Sequence, residues 1–171
     1  MIQTQPNFTY RQISINDKPQ LKQLGIIAYG QFASVLEPQH FKILNSFLHD
    51  DDKLLQLINN STGFACLHNN NIIGMAYIIA SGNPYDIFKA EWSYIRMVGV
   101  NPTYQGQGIA KKLTSMCINH AIKTNEKIVA LHTSEFMNAA RHIYESLGFK
   151  ILQPIEPRFG KKYWLYTLNI N

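Results

Sequence analysis

The chain is poor in charge: 16 Lys and Arg and 11 Asp and Glu among 171 residues leave 16% of positions charged, while hydrophobic residues take 46%. That balance excludes an intrinsically disordered chain and a charged coiled coil, and it predicts a packed globule. The basic residues come in ones and twos, so neither a nucleic-acid-binding arm nor a polybasic membrane segment is expected. Cysteine is scarce. Cys66 and Cys117 stand alone in a strand-like and a helix-like context, which excludes a disulfide framework or a paired-thiol zinc site and predicts a reducing compartment. No apolar run approaches the roughly 20 residues of a membrane-spanning helix. Met1 to Tyr10 is polar and lacks the core of a signal peptide, so a cytoplasmic protein is expected. Internal repeats, low-complexity segments and linkers are also missing.

What the sequence does contain suits a catalytic or binding globule. Residues 1–171 are read as one domain, long enough to bury roughly 68–70% of the surface its unfolded chain exposes. Nine Tyr, nine Phe and two Trp are generous for this length. The net charge of +5 suits a polyanionic ligand without naming one.

The hydrophobic period gives the element order. Phe8 to Ile13 alternates like a half-buried strand. Asn16-Asp17 and Pro19 open a helix with Leu21, Leu24, Ile27 and Ala28 on one face, ending near Gly30 or Phe32. Pro38 opens a second, through Phe41, Leu44 and Leu48, and Asp50 to Asp52 cap a short third. Phe64 to His68 and Ile72 to Ala80 read as a hairpin, followed by a connector and a strand over Glu91 to Val100. A helix from Ile109 to about Thr124, a strand over Lys127 to Thr133 and a helix over Asn138 to Leu147, closed by Gly148, come next. Phe149 to Leu152 and Lys162 to Ile170 form a closing antiparallel pair, with Gln153 to Lys161 as connector. This order predicts an α/β domain around a mixed sheet.

The segment Met97 to Leu113 organises the rest. An apolar strand stops at Pro102, a glycine-rich turn follows, and a helix begins with Lys111 and Lys112 in its first turn. Unpaired NH groups and the positive dipole end of that helix make an anion site suited to phosphate. Glycines at 106 and 108 let backbone approach a ligand closely. Gly99, inside the strand, predicts a bulge or a close packing contact.

Two blocks carry a family resemblance. Gln105-Gly106-Gln107-Gly108-Ile109-Ala110, after Val100-Asn101-Pro102, resembles the signature of the GCN5-related N-acetyltransferase (GNAT) superfamily, Gln or Arg, two residues, Gly, one residue, Gly or Ala. Asn138-Ala139-Ala140-Arg141-His142-Ile143-Tyr144-Glu145-Ser146-Leu147-Gly148-Phe149 is similar to a later segment of the same family. The resemblance implies a single-domain GNAT-like fold: a mixed, mostly antiparallel sheet with a splayed parallel pair at its centre and helices on both faces. It implies acetyl-CoA as co-substrate, with no metal, and transfer of the acetyl group to a primary amine of a small molecule, peptide or protein. Gln105, Gly106, Gln107, Gly108, Ile109, Ala110 and Lys111 would hold the pyrophosphate, Val98 and Val100 would pair with the pantetheine arm, and Asn138 would bond it. Tyr144 would protonate the departing thiolate.

The base is less well marked. Many family members carry Glu where this chain has Tyr94 and Ile95, so Glu91, the nearest carboxylate if it is not a strand-end surface charge, and His132 are the candidates, with water or a backbone carbonyl as the alternative to a dedicated residue. By a period of two, Glu91 shares a strand face with Ser93, Ile95 and Met97, opposite Trp92, Tyr94, Arg96 and Val98. Tyr29, Phe32, Tyr85, Phe88, Trp92, Phe159 and Trp164 are expected around the acceptor. The missing Glu keeps a non-catalytic acyl-CoA-binding regulatory module as the alternative function. Neither a nucleic-acid nor a membrane partner is expected, and a homodimer is left open.

Overall fold

A computed structural model describes residues 7–170. The sheet has seven strands: β1 (Thr9–Gln12), β2 (Thr62–His68), β3 (Asn71–Ile79), β4 (Ser93–Val100), β5 (Ile128–Ser134), β6 (Lys150–Arg158) and β7 (Lys161–Asn169). Their order across the sheet is β1-β2-β3-β4-β5-β7-β6. The β4–β5 pair is parallel, and every other neighbouring pair is antiparallel. Helices α1 (Lys18–Gly30), α2 (Pro38–Leu48) and α3 (Asp51–Asn59) precede β2, while α4 (Ile109–Lys123) and α5 (Asn138–Ser146) flank β5. The mixed α/β sheet expected from the element order is what the chain forms.

The two faces of the sheet carry different helices. On one, Ile109, Leu113, Cys117 and Ala121 of α4 and Tyr144 of α5 pack with Ile73, Ile78, Ile95, Val129 and Leu131 of the sheet. On the other, Leu21, Leu24 and Ala28 of α1 pack with Ala65, Met75 and Tyr77. Gly74 brings α4 close to the sheet, because a Cβ there would lie 2.7 Å from Ile109 Cγ2 and 3.0 Å from Leu113 Cδ1. Local chemistry fixes the helix starts. Asp50 accepts from the backbone NH groups of Asp52 at 3.1 Å and Lys53 at 3.0 Å, capping α3.

Three details differ from the sequence expectation. Gln153 to Arg158, expected as connector, is strand, and β6 runs on to a two-residue turn at Phe159-Gly160, both with positive φ. Pro154 and Pro157 are tolerated because β6 is the edge strand, where not every NH is needed by a neighbour. Second, β4 begins at Ser93, which leaves Glu91 exposed on the preceding turn. Third, the bulge in β4 lies next to Gly99. Tyr77 faces Arg96 and Met75 faces Gly99, so Ala76 alone faces Met97 and Val98, and Met97 takes φ +54°. The extra residue reverses the alternation beyond it. Val98 therefore packs on the same face as Ile95, and Met97 on the face of α1, the reverse of the period-two expectation. Gly99 is a close-approach site, where a Cβ would meet Tyr29 Cε2 at 3.2 Å and Met75 Cε at 3.3 Å.

Substituting Gly74→Ala is expected to lower the free energy of unfolding by about 1–3 kcal/mol through overpacking against α4. Gly30→Ala, at a helical position where a Cβ meets nothing within 4 Å, should instead gain about 0.5–1 kcal/mol. Urea unfolding of both variants reads the opposite signs.

Candidate active site

The site grows from the point where the parallel pair opens. β4 and β5 are paired only at Ser93 with Val129 and Tyr94 with Ala130. Beyond Ala130, β5 keeps β7 as its partner through Ser134, while β4 carries on along β3. The bulge sharpens the local twist of β4 and leads it away from β5, so a gap opens beside Ile95 to Val100.

One end of β4 leads into the glycine turn. Asn101 accepts from the backbone NH of Thr103 at 3.1 Å, and a 3-10 turn over Pro102–Tyr104 follows. Tyr104 is tied back to β2, its hydroxyl 3.0 Å from His68 Nδ1, with Phe8 packed edge-on against both rings. Gly106 and Gly108 each have φ +78°, and a Cβ on either would meet nothing within 4 Å. Glycine is therefore required there by backbone conformation, and the space beside it is open to a ligand. Gly108 is the N-cap of α4, and Lys111 is exposed in its first turn. A diphosphate fits this turn, since unpaired NH groups and a 15-residue helix dipole converge on it.

Tyr144 enters from the α4–α5 face. It is buried beside Cys117 and packs edge-on with Phe149, ring centroids 6.0 Å apart. Burial, with a smaller contribution from Cys117, raises its pKa well above the ordinary phenol value, so it holds its proton. A network docks α5 on β7: Tyr166 donates to Glu145 at 2.8 Å, Arg141 Nε donates to Tyr166 at 3.3 Å, and the Arg141 guanidinium lies 4.5 Å from the Trp164 ring. Asn138 is exposed at the start of α5.

His132 lies on β5, two residues past the last β4 pairing, and faces the other side. It stacks with Phe88 at 6.0 Å and meets Tyr163 edge-on at 5.6 Å. Its Nδ1 is sealed from solvent and has no hydrogen-bond partner among the described residues. Burial, then the charges of Arg158 and Arg96, pulls its pKa from 6.5 to about 4. The imidazole is therefore neutral at physiological pH.

Tyr29, expected only as an acceptor aromatic, does more. Its hydroxyl donates to the Val98 carbonyl at 3.1 Å, pinning the bulge to the end of α1. Nothing in the local sequence pairs positions 29 and 98. Phe32, just beyond α1, packs edge-on with Phe136 of the β5–α5 loop, centroids 5.0 Å apart, which links the two sides of the gap. Phe88, Trp92 and Phe159 are core or near-core side chains, and Trp164 lies under Arg141. Tyr85 is exposed. Glu91 lies on the turn before β4, at the paired end of the strands, and is not brought to the open end. Among the described residues no cluster of three His, Cys, Asp or Glu side chains is arranged to hold a metal ion.

Comparison with known proteins agrees with this geometry. Residues 30–149 match the family model described as the Acetyltransferase (GNAT) family. N-alpha-acetyltransferase 30 of Saccharomyces cerevisiae is 28% identical over 137 residues, covering 75% of this chain and 74% of the yeast protein. The PaiA N-acetyltransferase of Thermoplasma acidophilum, solved with coenzyme A, superposes with a TM-score of 0.77 at 14% identity over 96% of this chain and 99% of that one. A NatC complex bound to Gag peptide and CoA gives 0.69 at 22% identity, over 96% and 99%. At those identities the structural likeness speaks for the fold alone. A splayed parallel pair, a glycine turn capping α4 and the matched family model together define an acyl-CoA-using acyltransferase. The chain belongs to the GNAT family and is an acetyl-CoA-dependent N-acetyltransferase.

Two outcomes test the site. Gly108→Ala should raise the Kd for CoA at least tenfold, whereas Gly82→Ala, which shares a positive φ of +89° but lies in the loop after β3, should leave CoA affinity unchanged. Isothermal titration reads both. His132 favours the fold in its neutral form, so its contribution is complete above about pH 6.5 and is lost as the pH falls toward about 4. His132→Phe should therefore flatten the pH dependence of urea-unfolding free energy between pH 6.5 and 4.5. The wild-type contribution to that slope is at most about 1.4 kcal/mol per pH unit.

Proposed function

We propose that the acceptor is the α-amino group of a peptide, protein or small molecule, and that Tyr144 and His132 manage the two protons of direct acetyl transfer. The observation that carries this reading is the placement of the two side chains: Tyr144 on the α4–α5 face and His132 on the α1 face, on either side of the strand opening. Acetyl-CoA, when bound, supplies the activated thioester. The backbone of Gln105, Gly106, Gln107, Gly108, Ile109 and Ala110 holds its pyrophosphate with Lys111 alongside. Backbone groups of Val98 and Val100 pair with its pantetheine arm, and Asn138 bonds the same arm.

The state of the acceptor nitrogen favours an α-amine. With a reference pKa of about 7.7–8.0, roughly a quarter of α-amines are already neutral near pH 7.4, against about one in a thousand for a lysine at about 10.4. His132, with a pKa of about 4, is too weak to strip an alkylammonium beforehand. It can accept the proton that the amine nitrogen loses once bonded to the acetyl carbon, when that N–H is far more acidic. Tyr144 gives its proton to the sulfur as the carbon–sulfur bond breaks. This reading assigns the base to His132 in preference to Glu91. The yeast relative is named for N-alpha-acetylation and matches 75% of this chain and 74% of its own, which supports the same class of acceptor.

Tyr144→Phe and His132→Gln are each expected to lower kcat by about 10²–10⁴ with little change in the Kd for CoA, while Glu91→Gln stays near wild type. Free-thiol release measured with a panel of peptides and small amines checks this. CoA binding without turnover on any amine would replace this reading with that of a non-catalytic acyl-CoA-binding module.

A further inference from the structure

Among the described residues, Arg96 at the open end of the strand pair is a cation without a charge partner. Arg96 is the first residue of β4 beyond those near its β5 pairing to point to the α1 face, opposite Tyr77 in register and two positions past Tyr94. The residue is half-buried, and its guanidinium carbon lies 4.9 Å from the centre of the exposed Tyr85 ring. Among the described residues it has neither an ion pair nor a hydrogen bond. The nearby carboxylate, Asp86, is taken by Arg158, which joins the β6–β7 hairpin to the loop before β4. The charge of Arg96 reaches the groups around the gap. After burial and Arg158 it further disfavours protonation of His132, and it partly offsets the burial that raises Tyr29 and Tyr94.

An unpaired guanidinium that has given up part of its hydration gains most from a carboxylate, which accepts two parallel N–H bonds from it. The Tyr85 ring holds it by its face and leaves its N–H groups free. The same positive charge repels a cationic side chain, and beside a bound amine it favours the neutral, nucleophilic form. Resting on the transferase reading above, we propose that Arg96 selects the acceptor by pairing with a carboxylate within a residue of the reacting amine. The acceptors are peptides with Asp or Glu at the first or second position.

The test uses the full chain with acetyl-CoA and peptide pairs differing only by Asp against Asn, at position one and at position two. Wild type is expected to use an acidic peptide with kcat/KM on the order of ten- to a hundredfold above its amide twin, chiefly through KM. Arg96→Gln should erase that preference by raising KM for the acidic peptide alone, and Arg96→Lys should restore part of it. Equal use of both peptides, or an equal fall in kcat on both in Arg96→Gln, would overturn the role of Arg96 while leaving the transferase reading intact. If neither peptide is acetylated, the peptide-acceptor reading fails. Calorimetric titration of the CoA-loaded protein with the same pairs then decides Arg96: acid-selective binding that Arg96→Gln removes supports it, and unselective or absent binding overturns it.

Discussion

Ala76 of β3 faces two residues of β4, and the chain absorbs the surplus by turning Met97 into the left-handed region at φ +54°. A non-glycine residue there costs on the order of 1–2 kcal/mol, so the surrounding packing must hold it. Met97 is enclosed by side chains of both the α1 and the α2 clusters, and the next carbonyl, of Val98, accepts the Tyr29 hydroxyl. The bulge bends β4 away from β5 and exposes strand edge that an extended ligand can pair with. It also sends Arg96 and Met97 to the same face, which strict alternation forbids.

The gap gives the sheet two working sides. Hydrophobic burial of Ile109, Leu113 and Cys117 fixes α4 on one side, so the glycine turn at its start and Tyr144 of the neighbouring α5 share that side. On the other, the loop before β4 and the β6–β7 hairpin bring aromatic rings to His132 and Arg96: Phe88 and Tyr163 pack on the imidazole and Tyr85 lies under the guanidinium. Under the proposed mechanism, donor and acceptor approach from these opposite faces. Burial tunes the two candidate proton carriers oppositely: the phenol of Tyr144 keeps its proton and the imidazole of His132 stays without one. A proton donor and a proton acceptor arise from the same desolvation because the charged form of each group is the one that burial penalises.

Much of the proposed donor side was legible along the chain. Gly106, Gly108 and the apolar stripe of α4 are local features, set by backbone conformation and by helical spacing within a few residues. Tyr144 could be singled out through the family resemblance of the block from Asn138 to Leu147-Gly148-Phe149, which lies on one short helix and its cap. The acceptor side was less legible. Tyr29 and Val98 are 69 residues apart, and Asp86 and Arg158 are 72 apart. Gln153 to Arg158 looked like a connector because its prolines interrupt a strand pattern, and only the position of β6 at the sheet edge makes them acceptable.

By itself, then, the sequence determined the element order, the glycine turn at the start of α4 and the helix that carries Tyr144, because period, capping and glycine conformation act over one or two turns of chain. The tertiary structure alone decided where β4 leaves β5, which face Arg96 and Met97 occupy, and that His132 rather than Glu91 stands beside the opening. Those outcomes depend on one unmatched residue between neighbouring strands, and a register is a property of two strands that neither carries alone.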